Sequence, residues 1–301
     1  MNKLFRLAAF VAVSCFCATS TLGAGFGLYE FSARGNAMGG AVLAGDAEPA
    51  SLALNPALIT DLDGVQFQMG VTEITASAKV TYNQEGQSPD RVWWTLPTVY
   101  YTQQLFEDWY IGLGAFPRFG LSGHYPDRNW AGSSDVYDVD VQSYSIQPTV
   151  AFQATERFSV AAGAEIMYFK FSEGKRIQLG PSGATDLEVE GDSWGLGAIL
   201  AMAYKANEKV NLGASFRTRV KQGVDGTSKF SREMAVPGVA AFMNGSAHGD
   251  IMLPAQLAMG ISYRPIDDLL IEFTWMNIFW SSFDDLAISF ERAPGTGTSG
   301  V

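Results

Sequence analysis

Within the segment VNLGASFRTRVK, the cations Arg217, Arg219 and Lys221 recur at every second position. In an extended chain this spacing puts all three on one face, where they can hold an anionic group or pair with acids such as Glu165 and Glu272. The two histidines, His124 and His248, are the other residues to weigh. A hydrolase or acyltransferase needs a serine brought to one of them, and no GxSxG nucleophile motif accompanies either, so the chain is read as a non-enzyme. Asp135, Asp138 and Asp140 are read as solvated acids at the start of a strand rather than as a Ca²⁺ site. No metal and no cofactor is expected.

Two further stretches carry backbone chemistry. In SLALNPALIT, Pro49 just upstream can open a helical turn through Ala50 to Leu54, and proline at 56 disfavours helical geometry at Asn55. Asn55 suits an N-cap and Pro56 the first position of a new turn, so Asn55, Pro56 and Ala57 read as a junction between two short turns. In YIGLGAFPRFGLSG, Pro117 cannot donate a ladder hydrogen bond, and Gly114 and Gly120 offer little to pack. A bulge or bend is expected over Phe116, Pro117 and Gly120.

The elements that position these residues are strands. WGLGAILAMAY places Trp194, Leu196, Leu200, Met202 and Tyr204 on one face and mostly small residues on the other, and VNLGASFRTRV alternates more sharply still. Nine such strands are expected, at 65–81, 92–104, 109–122, 139–154, 158–171, 192–204, 210–222, 251–263 and 269–282. Short turns (LFED, ATER, KANEK, RPIDD) interleave with longer polar connections at 83–91, 123–138, 173–191 and 223–250. That asymmetry, with Tyr100, Tyr101, Trp109, Tyr110, Tyr204 and Tyr263 beside the short turns, is the pattern of a transmembrane β-barrel with aromatic girdles. On strand parity Lys170 faces outward and reaches headgroup depth. The loop AVPGVAAFMNG, with Val236, Val239, Phe242 and Met243, exposes enough apolar surface to act as a landing site.

Residues 1–23 read as a secretory signal peptide, with Lys3 and Arg6 ahead of an apolar run too short to span a bilayer. Cleavage there removes both cysteines, Cys15 and Cys17, so no disulfide or thiolate metal site is expected in the mature chain. It also takes the formal charge from −11 to −11 − 2 = −13, a surface that repels nucleic acid. The fold class is therefore all-β, an outer-membrane antiparallel barrel. An odd strand count leaves an open edge, so the chain is expected to stop before the barrel closes.

The opening AGFGLYEFSARGNAMGGAVLAGDAEPASLALNPALIT and the hairpins WGLGAILAMAYKANEKVNLGASFRTRVKQGVDG and LPAQLAMGISYRPIDDLLIEFTWMNIFWSSF resemble the FadL-type outer-membrane transporters of long-chain fatty acids and other hydrophobic compounds. The resemblance implies a fourteen-stranded barrel, with about five strands beyond those counted here. It also implies an amino-terminal hatch over 24–64 inside the lumen, a barrel over 65–301, and lateral exit through an inward kink of the third strand. Under it, Phe26 joins Arg217, Arg219 and Lys221 as substrate-binding candidates, and Asn55, Pro56 and Ala57 become gating residues. The expected partners are long-chain fatty acids or other hydrophobic small molecules and outer-membrane lipid and lipopolysaccharide, with the protein a monomer. Uptake of aromatic or alkane hydrocarbons, and a barrel serving only as adhesin or structural anchor, stand as the alternatives.

Overall fold

In the computed structural model, residues 25–77, 79–82, 85–233, 242–282 and 287–290 are described. Residues 1–23, read from the sequence as a signal peptide, and Val236 and Val239 of the apolar loop lie outside them.

One twelve-stranded antiparallel sheet forms the wall. Its strands are β1 (Val65–Thr75), β2 (Trp93–Gln104), β3 (Trp109–His124), β4 (Asp138–Thr155), β5 (Phe158–Gln178), β6 (Ala184–Asn207), β7 (Val210–Arg217), β8 (Val220–Phe230), β9 (Gly245–Leu253), β10 (Gln256–Ile266), β11 (Leu269–Ile278) and β12 (Ala287–Phe290). Three passes across the wall are broken into pairs of strands, β7 with β8, β9 with β10 and β11 with β12, so among the described residues twelve strands make 12 − 3 = 9 passes. That is the number read from the alternation. The passes run farther at the long-loop end than expected: β5 continues to Gln178 and β6 starts at Ala184, because the polar stretch 173–191 is itself a paired hairpin. The first pass stops at Thr75, and a small separate hairpin, Val80–Tyr82 with Glu85–Gln87, follows it.

The outer face is apolar and bare. Trp194, Leu196 and Leu200 on β6 are 63%, 75% and 58% exposed, which in water would be a severe liability and in hydrocarbon is the favoured state. Trp194 and Tyr204 stand ten steps apart; at about 3.3 Å rise per step and about 40° tilt the apolar band is about 25 Å tall, the height of the apolar band of a transmembrane barrel. Exposed Trp109, Tyr204 and Tyr263 ring the short-turn end, as expected. Tyr100 and Tyr110 do not join them: both are buried on the inner face.

Inside, residues 25–64 form a plug of short turns. Helix α1 (Ala33–Ala37) is capped by the Ser32 hydroxyl, which accepts from Gly35 N, and two 3-10 turns follow at Pro49–Ala53 and Pro56–Asp61. The wall makes room for this plug by presenting small residues inward. Leu43, Leu52, Ala57 and Ile59 pack on Ala151, Ala161, Ala201 and Ala258. A Cβ at Gly213 would run into the carbonyl oxygen of Leu43, so this close approach requires glycine.

Candidate functional site

Asn55 is the N-cap of the second 3-10 turn with Pro56 behind it, and its Oδ1 accepts from Ala57 N at 3.2 Å. Its Nδ2 donates to Leu43 O at 2.7 Å and, across the plug boundary, to Met202 O of β6 at 3.2 Å. Asn55, Pro56 and Ala57 are all buried, and the junction expected from the sequence is one of the places where the plug is tied to the wall.

Each of the nine passes contributes such a tie. Gln68 of β1 accepts from Ala50 N, the Tyr100 hydroxyl of β2 donates to Phe31 O, and Gln147 of β4 donates to Leu52 O at 2.7 Å. Ser159 of β5 accepts from Thr60, Arg217 of β7 donates to Ala53 O at 2.8 Å, and Ser262 of β10 donates to Ala44 O. Glu272 of β11 accepts from Leu43 N and Ala44 N at 2.6 and 2.7 Å. Glu272 is thus a binder of plug backbone and not a partner for the cations of β7.

The remaining tie, on β3, lies at the expected bend. The ladder between β2 and β3 runs only from Gln104/Tyr110 to Val99/Ala115, and the β3–β4 register shifts between Pro117 and Gly120. Phe116 and Phe119 turn inward and are buried. The plug takes the place that β2 vacates: Leu28 N donates to Arg118 O at 2.8 Å and Gly120 N donates to Phe26 O at 2.9 Å. Beyond the bend a cavity of about 350 Å³ opens between the two strands, lined by Leu28, Trp93, Trp94, Leu96, Pro117, Gly120 and Leu121 among others.

Above the plug the inner face is apolar. Met167, Phe169, Val220, Val224, Ile251 and Leu253 form a buried cluster with Phe119, and Phe26 and Trp280 pack against it. Phe26 packs on both of those rings, 5.7 Å from Phe119 and 5.2 Å from Trp280, which are themselves 6.2 Å apart. Trp280 belongs to a single 3-10 turn, Trp280–Ser282, where the ninth pass leaves the ladder that the sequence carried on to 282.

Beside this packed cluster, joined to it through Phe119, lies a buried ion cluster. Arg118 Nη1 is 3.1 and 3.0 Å from the two oxygens of Glu165, Arg217 Nη1 is 3.0 Å from Glu165 Oε2, and the Ser145 hydroxyl donates to Glu165 Oε1 at 2.6 Å. The three charged side chains are at most 5% exposed. Arg217 Nη1 is close enough to pair with Glu165 yet lacks an aligned acceptor, so its hydrogen-bonding capacity is unfilled. Arg118 was not singled out from the sequence, although a cation inside Phe-Pro-Arg-Phe has no polar neighbour to explain it.

Arg219 and Lys221 do not share this face. Between Asp192/Asp225 and Ile199/Arg217, seven steps on β6 stand against eight on the seventh pass, so one residue is inserted at Thr218–Arg219. A bulge of one residue reverses the alternation. Arg217 therefore points in, whereas Arg219 and Lys221 are exposed on the outer face, where Lys221 pairs with Asp250 at 2.8 Å. Lys170 is also exposed. At the long-loop end His124 of β3 pairs with Asp138 of β4 at 3.3 Å, and His248 of β9 with Asp225 of β8 at 2.7 Å. Phe242 packs on Phe230 and Met243 is exposed.

An apolar outer band, aromatic girdles and a lumen stoppered by the chain's own amino-terminal segment define a plugged outer-membrane β-barrel. The chain belongs to the outer membrane protein transport protein family (OMPP1/FadL/TodX), whose model matches residues 14–299. It is 24% identical to the long-chain fatty acid transport protein of Escherichia coli O6:H1 over 95% of this chain and 72% of that one. It is 21% identical to outer membrane protein P1 of Haemophilus influenzae, over 96% of this chain and 73% of that one. Among solved structures, a Pseudomonas aeruginosa FadL homologue superposes with a TM-score of 0.75 at 17% identity, covering 89% of this chain and 72% of that one. The Ralstonia pickettii toluene transporter TbuX does so at 0.72 and 19%, covering 91% and 77%. These similarities establish the barrel fold and an outer-membrane transport protein of a Gram-negative bacterium.

Proposed function

We propose that this barrel imports hydrophobic molecules with an anionic head, long-chain fatty acids above all, by energy-independent diffusion. The observation that carries the reading is an apolar inner cluster that adjoins two buried guanidinium groups set against one carboxylate. An aliphatic chain gains by leaving water for such walls, at about 0.8 kcal/mol per buried methylene, and its carboxylate needs a cation once desolvated. Arg217 is the residue assigned to that head group, because it is buried and its Nη1 has no aligned acceptor. A hydrocarbon channel has no use for the excess positive charge.

The exit assigned to the ligand is lateral, through the bend of β3. The broken β2–β3 ladder and the cavity beside it support this route. The plug, tied to all nine passes, leaves axial passage more costly. The test is uptake of radiolabelled oleate by cells whose own transporter is deleted, carrying the full-length gene. Uptake restored above the empty vector is the expected result. No uptake and no lipid recovered from the purified protein would sink the reading.

A further inference from the structure

The charge count of the buried cluster is odd, and that has a consequence for selectivity. Glu165 forms ion pairs with Arg118 and Arg217, and among the described residues neither arginine has a second ion pair. Two positive charges and one negative leave a formal excess of one, sealed from water on inward faces of β3, β5 and β7. The ion cluster abuts the apolar inner cluster through Phe119, over whose ring the Arg118 guanidinium stands at 4.8 Å.

We propose that Glu165 sets the head-group specificity of the site. By cancelling one of the two guanidinium charges it leaves a balance that a single negative charge completes. A neutral ligand leaves the floor with one charge uncompensated, and a dianion overshoots it by one. In a low-dielectric interior an uncompensated charge is far more costly than at a surface. The site therefore selects monoanionic amphiphiles over alcohols of the same chain and over phosphate monoesters, which carry close to two negative charges above their second pKa. This rests on the proposed function, which takes the apolar inner cluster and its adjoining arginines as the region that receives the ligand. The hydrocarbon walls contribute alike to all three ligand types, so the difference lies in the head group and traces to one residue.

The experiment compares oleate, oleyl alcohol and oleyl phosphate binding to the purified full chain in a neutral detergent at about pH 8, where the phosphate is dianionic. The wild type is expected to bind oleate tightest. Glu165→Gln removes the charge and keeps the shape, raising the excess to two, and is expected to move the oleyl phosphate to oleate affinity ratio toward phosphate by at least about tenfold. Ser145→Ala disturbs the same cluster without changing its charge, since it removes only the hydroxyl that donates to Glu165, and is expected to keep the wild-type order. Equal wild-type affinity for all three ligands overturns the inference while leaving the transport reading intact. So does an unchanged order in Glu165→Gln, or an equal shift in Ser145→Ala, which would trace the effect to packing. Binding of none of the three overturns the transport reading and this inference together.

Discussion

Replacing Asn55 by alanine should loosen the plug and spare the wall. The side chain makes three hydrogen bonds and is fully buried: it accepts from Ala57 N and donates to Leu43 O and Met202 O. Losing the N-cap acceptor costs about 1 kcal/mol. Withdrawing the donor from two carbonyl oxygens costs about 1 kcal/mol each, for a total of about 3 kcal/mol. None of these bonds belongs to the sheet ladder, so the loss falls on local opening of the plug rather than on unfolding of the barrel. At 1.4 kcal/mol per decade, the open fraction rises by about 100-fold. Amide hydrogen exchange should register this as faster exchange confined to residues 43–62, and planar-bilayer recordings as a higher basal conductance. The heat-dependent gel mobility that reports the folded barrel should stay unchanged. Exchange in the plug within about threefold of wild type would refute the reasoning, because a loss of that size leaves the open population unaltered only if these bonds do not hold the plug shut.

Gly213→Ala should destabilise the plug seat more than Gly112→Ala, since the new methyl meets the backbone oxygen of Leu43 in the first case and the movable end of the Leu52 side chain in the second; plug exchange and thermal midpoints measure the difference. Arg217→Gln should lower oleate uptake by about tenfold or more, for loss of a buried charge contact, whereas Lys221→Ala, on the outer face, should leave uptake at wild type. A fall in the lysine variant would restore the inward placement that the bulge excludes. Gly120→Val should cut uptake if exit is lateral, because a Cβ placed there would lie 3.0 Å from Leu28 Cδ1 at the mouth of the cavity, and normal uptake by a correctly folded variant would remove the β3 route.

Much of the wall was legible because its physics is local. An outer face in hydrocarbon and an inner face against plug or water impose period two on every pass, and the short turns between passes have no room to hide it. The Asn55-Pro56 junction was legible for the same reason, as capping and the steric effect of proline act within three residues. The extensions of β5, β6, β8 and β9 were not. Beyond the bilayer the alternation is short, Leu187 and Val189 against Asp186, Glu188 and Glu190, while the facing strand 173–178 is mostly polar, so the hairpin reads as loop. Glu272 was foreseen only as a lumen acid, and its role in holding the amides of Leu43 and Ala44 depends on residues more than two hundred positions away.

What the amino-acid order determined by itself is the class of the protein: an outer-membrane barrel built of amphipathic passes behind a turn-rich segment. What the tertiary structure alone decided is which cations face the lumen and what fills the bend. Arg217, Arg219 and Lys221 are equivalent under strict alternation, and one residue inserted opposite β6 separates them onto opposite faces. Likewise Pro117 announces a break in β3, but the partner that closes it, residues 26–28, is chosen by the path of the plug. Alternation propagates along one strand, whereas register is a relation between two, and a single slip in it reassigns every side chain beyond.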